Sequence, residues 1–141
     1  MGPAFQRTIL ADFRSLHQLQ RDLVVFLETQ GVPPKASHDV QVVCEELIVN
    51  AIRHGVGSRT GADHRIELSV ALADAITIRI CDDLPLFDPT SVPLPVRPIS
   101  LADATVGGRG LTLVRRATTL FRWQAANGRN LIVAEVPCGQ R

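Results

Sequence analysis

The sequence predicts an α+β sandwich, with helices gathered in the first half of the chain and strands in the second. Three observations carry that prediction. Apolar residues recur at helical spacing across two long stretches ahead of residue 55, they alternate at every second position between residues 65 and 81, and an Asn127-Gly128 pair flanked by strand-like runs reads as a hairpin turn. With 141 residues, 45% of them hydrophobic, the chain is sized for a single domain, residues 1–141, around one continuous core.

Residues 5–11 suit a short opening strand. Ser15, with Gln18 three residues on, makes a capping box for a first helix whose Leu16, Leu19, Leu23, Phe26 and Leu27 share a face, and Gly31 followed by Pro33 and Pro34 stops it. A second helix is expected over residues 37–55, where Val40, Val43, Cys44, Leu47, Ile48, Ala51 and Ile52 form a broad buried stripe. At about 100° per residue, Glu46 and Asn50 fall on the flank of that stripe, where a core-packed helix still presents polar groups to a cleft. Beyond a glycine-rich turn, residues 65–73 and 76–81 alternate as half-buried strands. Residues 87–108 lose periodicity and carry Pro89, Pro93, Pro95 and Pro98, which marks a long loop of the functional or mobile kind. A helix over residues 111–119 follows, then strands over residues 120–126 and 130–136 joined by Asn127-Gly128.

Composition removes several classes of function. Fifteen basic and fourteen acidic residues are spread along the chain for a net charge of +1, so no block of charge marks a nucleic-acid or membrane surface. Lys35 is the only lysine and no G-x-x-x-x-G-K-[ST] run occurs, which removes Schiff-base chemistry and the P-loop NTPases; the eukaryotic-type kinase motifs are also missing. Cys44, Cys81 and Cys138 form no C-x-x-C pair and read as small core residues in a reducing compartment. His17, His38, His54 and His64 lack metal-ligand spacing, and Trp123 and Phe121 read as sheet packing. Without a secretory h-region or an apolar run of roughly twenty residues, a cytoplasmic location is expected.

Three patches remain that suit chemistry. The first is Glu46, Asn50, Ala51, His54 and Gly55, spaced E-x-x-x-N-A-x-x-H-G; the second is Asp82, followed by Phe87-Asp88-Pro89; the third is Gly107-Gly108-Arg109-Gly110-Leu111 with Leu113 and Val114. An Asn amide oxygen is a neutral, hard ligand able to complete a magnesium shell built from waters and phosphate oxygens. A carboxylate one helical turn earlier is placed to act as general base toward a hydroxyl aimed at a γ-phosphate. An aspartate at a strand end can accept from an exocyclic amine, and glycines ahead of a helix N-terminus let backbone amides approach phosphates. Each patch also has a plainer reading: a solvated helix edge, a turn begun by Asp82 and Asp83, and a flexible hinge.

Together, and in this order, the patches resemble the N, G1 and G2 boxes of Bergerat (GHKL) ATPases, and their wording is similar to the anti-sigma factor serine kinases of bacterial partner-switching modules (RsbW-like). The resemblance implies a two-layer sandwich with a mixed, mostly antiparallel sheet covered on one face by helices, and a nucleotide lid at about residues 89–108. It implies ATP or ADP with Mg²⁺ as ligands, Glu46 as the catalytic base, Asn50 as the metal ligand, and Asp82, Gly107, Gly108, Gly110 and Leu111 as further nucleotide contacts. It further implies a sigma factor held inactive, a small STAS-type antagonist phosphorylated on Ser or Thr, and a homodimer. One departure stands out: the family usually has a glycine two residues after the G1 aspartate, where this chain has Leu84, a side chain expected to narrow or reshape the purine pocket. A binding module that sequesters a regulator without phosphorylating it is therefore the rival reading, with the detached catalytic domain of a histidine kinase third.

Overall fold

In the computed structural model, residues 2–56, 64–92 and 108–139 are described. The chain opens with strand β1 (Ala4–Leu10) and turns into helix α1 (Phe13–Thr29). The helix is capped by Asp12, whose side chain accepts from the Ser15 backbone N–H at 2.7 Å, so the cap lies three residues ahead of the expected Ser15. A carboxylate is the better acceptor beside the positive end of a helix, and Ser15 is taken into the first turn. That bond holds the Asp12 carboxyl below its ordinary range. At the other end Gly31 adopts φ 69°, its N–H donates to the Glu28 carbonyl at 3.0 Å, and the Val32 N–H donates to the Leu27 carbonyl at 3.1 Å. This paired closure is the Schellman motif that a glycine stop predicts.

Helix α2 (Pro34–Ala51) begins at a proline, three residues before the expected start. Proline is well placed in a first turn because its missing N–H would have no intrahelical partner and its φ is already helical. The chain then widens into a π-helical turn, Ile52–Val56, which carries the helical path to the expected end at Gly55.

Strands β2 (Arg65–Leu72) and β3 (Ala75–Asp82) follow, then helix α3 (Gly108–Ala117) and strands β4 (Leu120–Ala126) and β5 (Arg129–Pro137). The five strands lie in the order β1-β2-β3-β5-β4, and every pairing among the described residues is antiparallel. Between β4 and β5, Asn127 and Gly128 have φ 55° and 77°, the two left-handed residues a tight hairpin requires.

Strand alternation sends Ile66, Leu68 and Val70, Ile76, Ile78 and Ile80, and Ile132, Ala134 and Val136 to one face. Leu16, Leu23 and Leu27 of α1, Val40, Val43, Leu47 and Ile48 of α2, and Leu111 and Val114 of α3 are buried in the same core as that face. The architecture is thus the α+β sandwich that periodicity predicts, helices on one side. Cys44 belongs to this core, and burial pushes its thiol up to about 12, which leaves it inert. No helix among the described residues is long and apolar enough to cross a membrane. Of the expected lid at residues 89–108, Pro89–Ser91 form a 3-10 turn capped by Asp88, while residues 93–107 lie outside the described residues.

Candidate functional site

The sheet register creates the site. Ile66 pairs with Asp82 and Asp82 with Asn130, so two polar side chains stand side by side at one end of an apolar face. Both obey the inward alternation of their strands, and both are buried, at 2% and 4% exposure. The Asn130 Nδ2 donates to Asp82 Oδ1 at 2.8 Å, and the Leu84 backbone N–H donates to the same oxygen at 3.0 Å. Asn130 Nδ2 also reaches the Leu84 and Pro85 carbonyls at 3.2 and 3.1 Å, while its Oδ1 accepts from the Phe87 N–H at 3.0 Å and the Trp123 indole N–H at 2.8 Å. One amide therefore pins the whole turn after β3 to the sheet. Sequence reasoning missed Asn130 as a site residue, and only its position just past an Asn-Gly turn hinted at a polar role.

Burial pushes the Asp82 carboxyl up, because an ionised group loses its water there; the bonds from Asn130 and Leu84 oppose that without cancelling it. A raised folded value means that the contribution to stability is complete below the unfolded value of 3.8 and is lost as pH rises through the folded value. Asp82→Asn, which keeps the shape and the acceptor, is accordingly expected to raise the melting temperature by about 3 °C at pH 7 and to leave it unchanged near pH 3. Circular dichroism melts at the two pH values test this, and equal shifts at both would remove burial of charge as the cause. The neighbouring Asp83 is exposed: what burial it has pushes its carboxyl up, but the Arg65 backbone N–H and the His64 ring outweigh that and hold it low. Asp83 closes the strand end, and Asp82 faces inward.

Helix α2 supplies the opposite wall. Leu47, Asn50 and Ala51 of α2 and His54 of the π-helical turn that follows lie three, one and three residues apart; with Asp82, Leu84 and Asn130 they line one hollow. Asn50 is 4% exposed, and its Oδ1 is buried without a hydrogen-bond donor among the described residues. An orphaned buried carbonyl oxygen fits a hard cation or its bound water, the ligand type a magnesium shell needs. Glu46, one turn earlier, is half-buried and stands outside the lining of the hollow, whereas Glu45 is exposed.

Leu84 fills much of this space. Its side chain is 3% exposed, and a methyl group at Gly55 would fall 2.8 Å from both its Cβ and its Cδ1. Close approach of Leu84 is the reason a glycine serves at 55. The remaining hollow measures about 20 Å³, room for one water molecule. His54 stacks on Phe87 at the mouth, ring centroids 4.9 Å apart and planes 16° off parallel. Arg115 of α3 donates to the Thr90 and Val92 carbonyls at 2.9 and 2.7 Å, tying that helix to the foot of the proline-rich segment.

Gly107 lies outside the described residues. Gly108 and Gly110 are wound into the first turn of α3, which starts three residues before the expected Leu111. Leu111 is buried at 3% in the core beside Val114, where its apolar periodicity takes it, and does not line the hollow. The structure thus gathers Asn50 and Asp82 around one space and adds Leu84 and Asn130. No cluster of His, Cys, Asp and Glu among the described residues is arranged to hold a metal.

The histidine kinase-like ATPase domain family matches residues 9–135. Among solved structures, the RsbU and RsbW domains of Rv1364c from Mycobacterium tuberculosis superpose with a TM-score of 0.66 at 15% identity, covering 95% of this chain and 32% of that one. The SiaB-SiaC complex from Pseudomonas aeruginosa gives 0.62 at 12% identity over 94% of this chain and 88% of that one. A histidine kinase domain from the blue-light activated kinase of Erythrobacter litoralis EL346 gives 0.52 at 12% identity over 92% and 61%. The chain therefore spans about a third of the length of the first of these. No curated protein sequence matches it.

Proposed function

The chain belongs to the histidine kinase-like ATPase domain family, and from that premise we propose that it is an ATP-binding anti-sigma factor and serine/threonine-protein kinase, which holds a sigma factor and phosphorylates a small antagonist. The observation that carries this reading is the pairing across one hollow of Asn50, whose buried oxygen has no donor among the described residues, and Asp82, an inward acid at a strand end. The fold shared with the RsbW domain and with the SiaB-SiaC complex supports it. In this reading Asn50 holds Mg²⁺, which supplies charge neutralisation at the phosphates, and Asp82 accepts from the exocyclic amine of adenine. Gly108 and Gly110 leave the first turn of α3 open to phosphate oxygens. Glu46 takes the proton of a partner Ser or Thr hydroxyl as its oxygen bonds to the γ-phosphorus and the bond to ADP breaks; positioning contributes most of the acceleration.

A rival reading has its own observation. Leu84, buried against Gly55, leaves room for only one water molecule, and this favours a regulatory binding module with a degenerate nucleotide site. Calorimetry with ATP with and without Mg²⁺ separates the two. The kinase reading expects Mg²⁺ to tighten binding at least tenfold, and Asn50→Ala to abolish that gain without lowering thermal stability, since it removes an unsatisfied acceptor. Absence of any adenine nucleotide binding at millimolar concentration, together with tight capture of a regulator, would establish the module instead.

A further inference from the structure

Resting on the nucleotide-binding reading of the site, we propose that Leu84 sets nucleotide affinity in this chain. Its side chain occupies space that the base would take, and a purine nucleotide enters only as the turn 84–87 yields. Four observations support this. Leu84 is 3% exposed although it stands two residues past a strand end, between exposed Asp83 and exposed Pro85. Its Cβ, Cγ and Cδ1 lie within 3.0 Å of where a side chain at Gly55 would begin, so it is seated against the π-helical turn Ile52–Val56 that continues α2. What is left holds one water, far short of a purine. Finally, its own backbone N–H occupies Asp82 Oδ1, one of the two carboxyl oxygens that a base amine could reach.

The turn is held by bonds that can be exchanged. Asn130 Nδ2 holds the Leu84 and Pro85 carbonyls, and Asn130 Oδ1 holds the Phe87 N–H. Leu86, next to them, is 52% exposed and Pro85 is exposed, so an outward swing of the turn meets little packing on its solvent side. If the closed arrangement holds nine-tenths or more of the population, apparent nucleotide affinity falls about tenfold or more below that of the open site. Because Asp82 is an acceptor, a purine that turns its position 6 toward it gains from the amino group of adenine and loses from the carbonyl oxygen of guanine, so in that orientation the affinity recovered on clearing the hollow belongs to adenine.

Trp123 is the only tryptophan and donates to the same Asn130 Oδ1, so its fluorescence reports on the turn. The full chain is titrated with Mg-ATP and Mg-GTP as wild type, Leu84→Ala and Leu84→Gly, by calorimetry and tryptophan emission. Both variants are expected to bind ATP at least tenfold more tightly than wild type, with little change for GTP, and wild type is expected to show the larger emission change. Equal ATP affinity in all three proteins overturns the inference and leaves the kinase reading intact. Failure of all three to bind at millimolar concentration overturns the nucleotide reading itself. Should the variants not fold, stopped-flow mixing of wild type with ATP decides: a binding rate that levels off with concentration supports a turn that must open first, and a rate that rises linearly refutes it.

Discussion

Asn130→Ala is expected to lower the stability of the chain by about 3 kcal/mol, a fall of roughly 10 °C in melting temperature. The size follows from how many groups depend on one amide. Its removal takes from a buried carboxylate one of its two donors, leaves the Phe87 N–H and the Trp123 indole N–H without their acceptor, and frees the Leu84 and Pro85 carbonyls. Each buried group left unpaired costs about 1–3 kcal/mol, and water entering beside the exposed Pro85 recovers part of the sum. Urea unfolding at pH 7 measures it, and a loss under 1 kcal/mol would show that the turn is held by packing of Leu84 and Phe87 instead. Asn130→Asp adds a diagnostic sign. Two facing carboxyls share a proton at low pH but repel once both ionise, so this variant should come closest to wild type near pH 4 and fall furthest below it at pH 7.

The prominence of Asn130 also shows where reading a sequence stops. Helices and strands were legible because apolar periodicity is a local quantity: Leu16, Leu19, Leu23 and Leu27 declare one buried face with no knowledge of what covers it. Gly31 and Asn127-Gly128 were legible because positive φ selects residue types directly. Asn50 and Asp82 were singled out through spacing, and they do line one hollow. Asn130 was not, since an amide beside a hairpin turn has a sufficient local explanation and all its partners but Trp123 lie more than forty residues earlier. Leu84 was noticed as a departure, but whether its side chain points into the hollow depends on how closely Gly55 approaches, a tertiary distance. The cap at Asp12 was lost to Ser15 for the opposite reason: both are good caps within one turn, and only the path of the strand before them decides between them. Leu111 was assigned for the backbone amides of a helix start, and its side chain lies in the core, as its apolar spacing alone predicts.

If the chain is the proposed kinase, Glu46→Gln is expected to reduce phosphotransfer to an antagonist by roughly 100- to 10,000-fold while changing ATP affinity less than about twofold. Glutamine keeps the length and shape of glutamate and its helix propensity, so α2 should still form. What is lost is the ability to accept a proton from the attacking hydroxyl, an interaction that exists only on the way to the transition state. The effect belongs in kcat, equivalent to about 3–5 kcal/mol of barrier. Glu45 is the internal control: adjacent in sequence but exposed and about 100° round the helix, it cannot serve the same hydroxyl, and Glu45→Gln should transfer phosphate at the wild-type rate. A rapid-quench measurement with labelled ATP reads chemistry apart from product release. If Glu46→Gln kept more than a tenth of the wild-type rate, proton removal would contribute little. Catalysis would then fall to positioning and phosphate charge neutralisation at Asn50 and the first turn of α3, as a dissociative phosphoryl transfer allows.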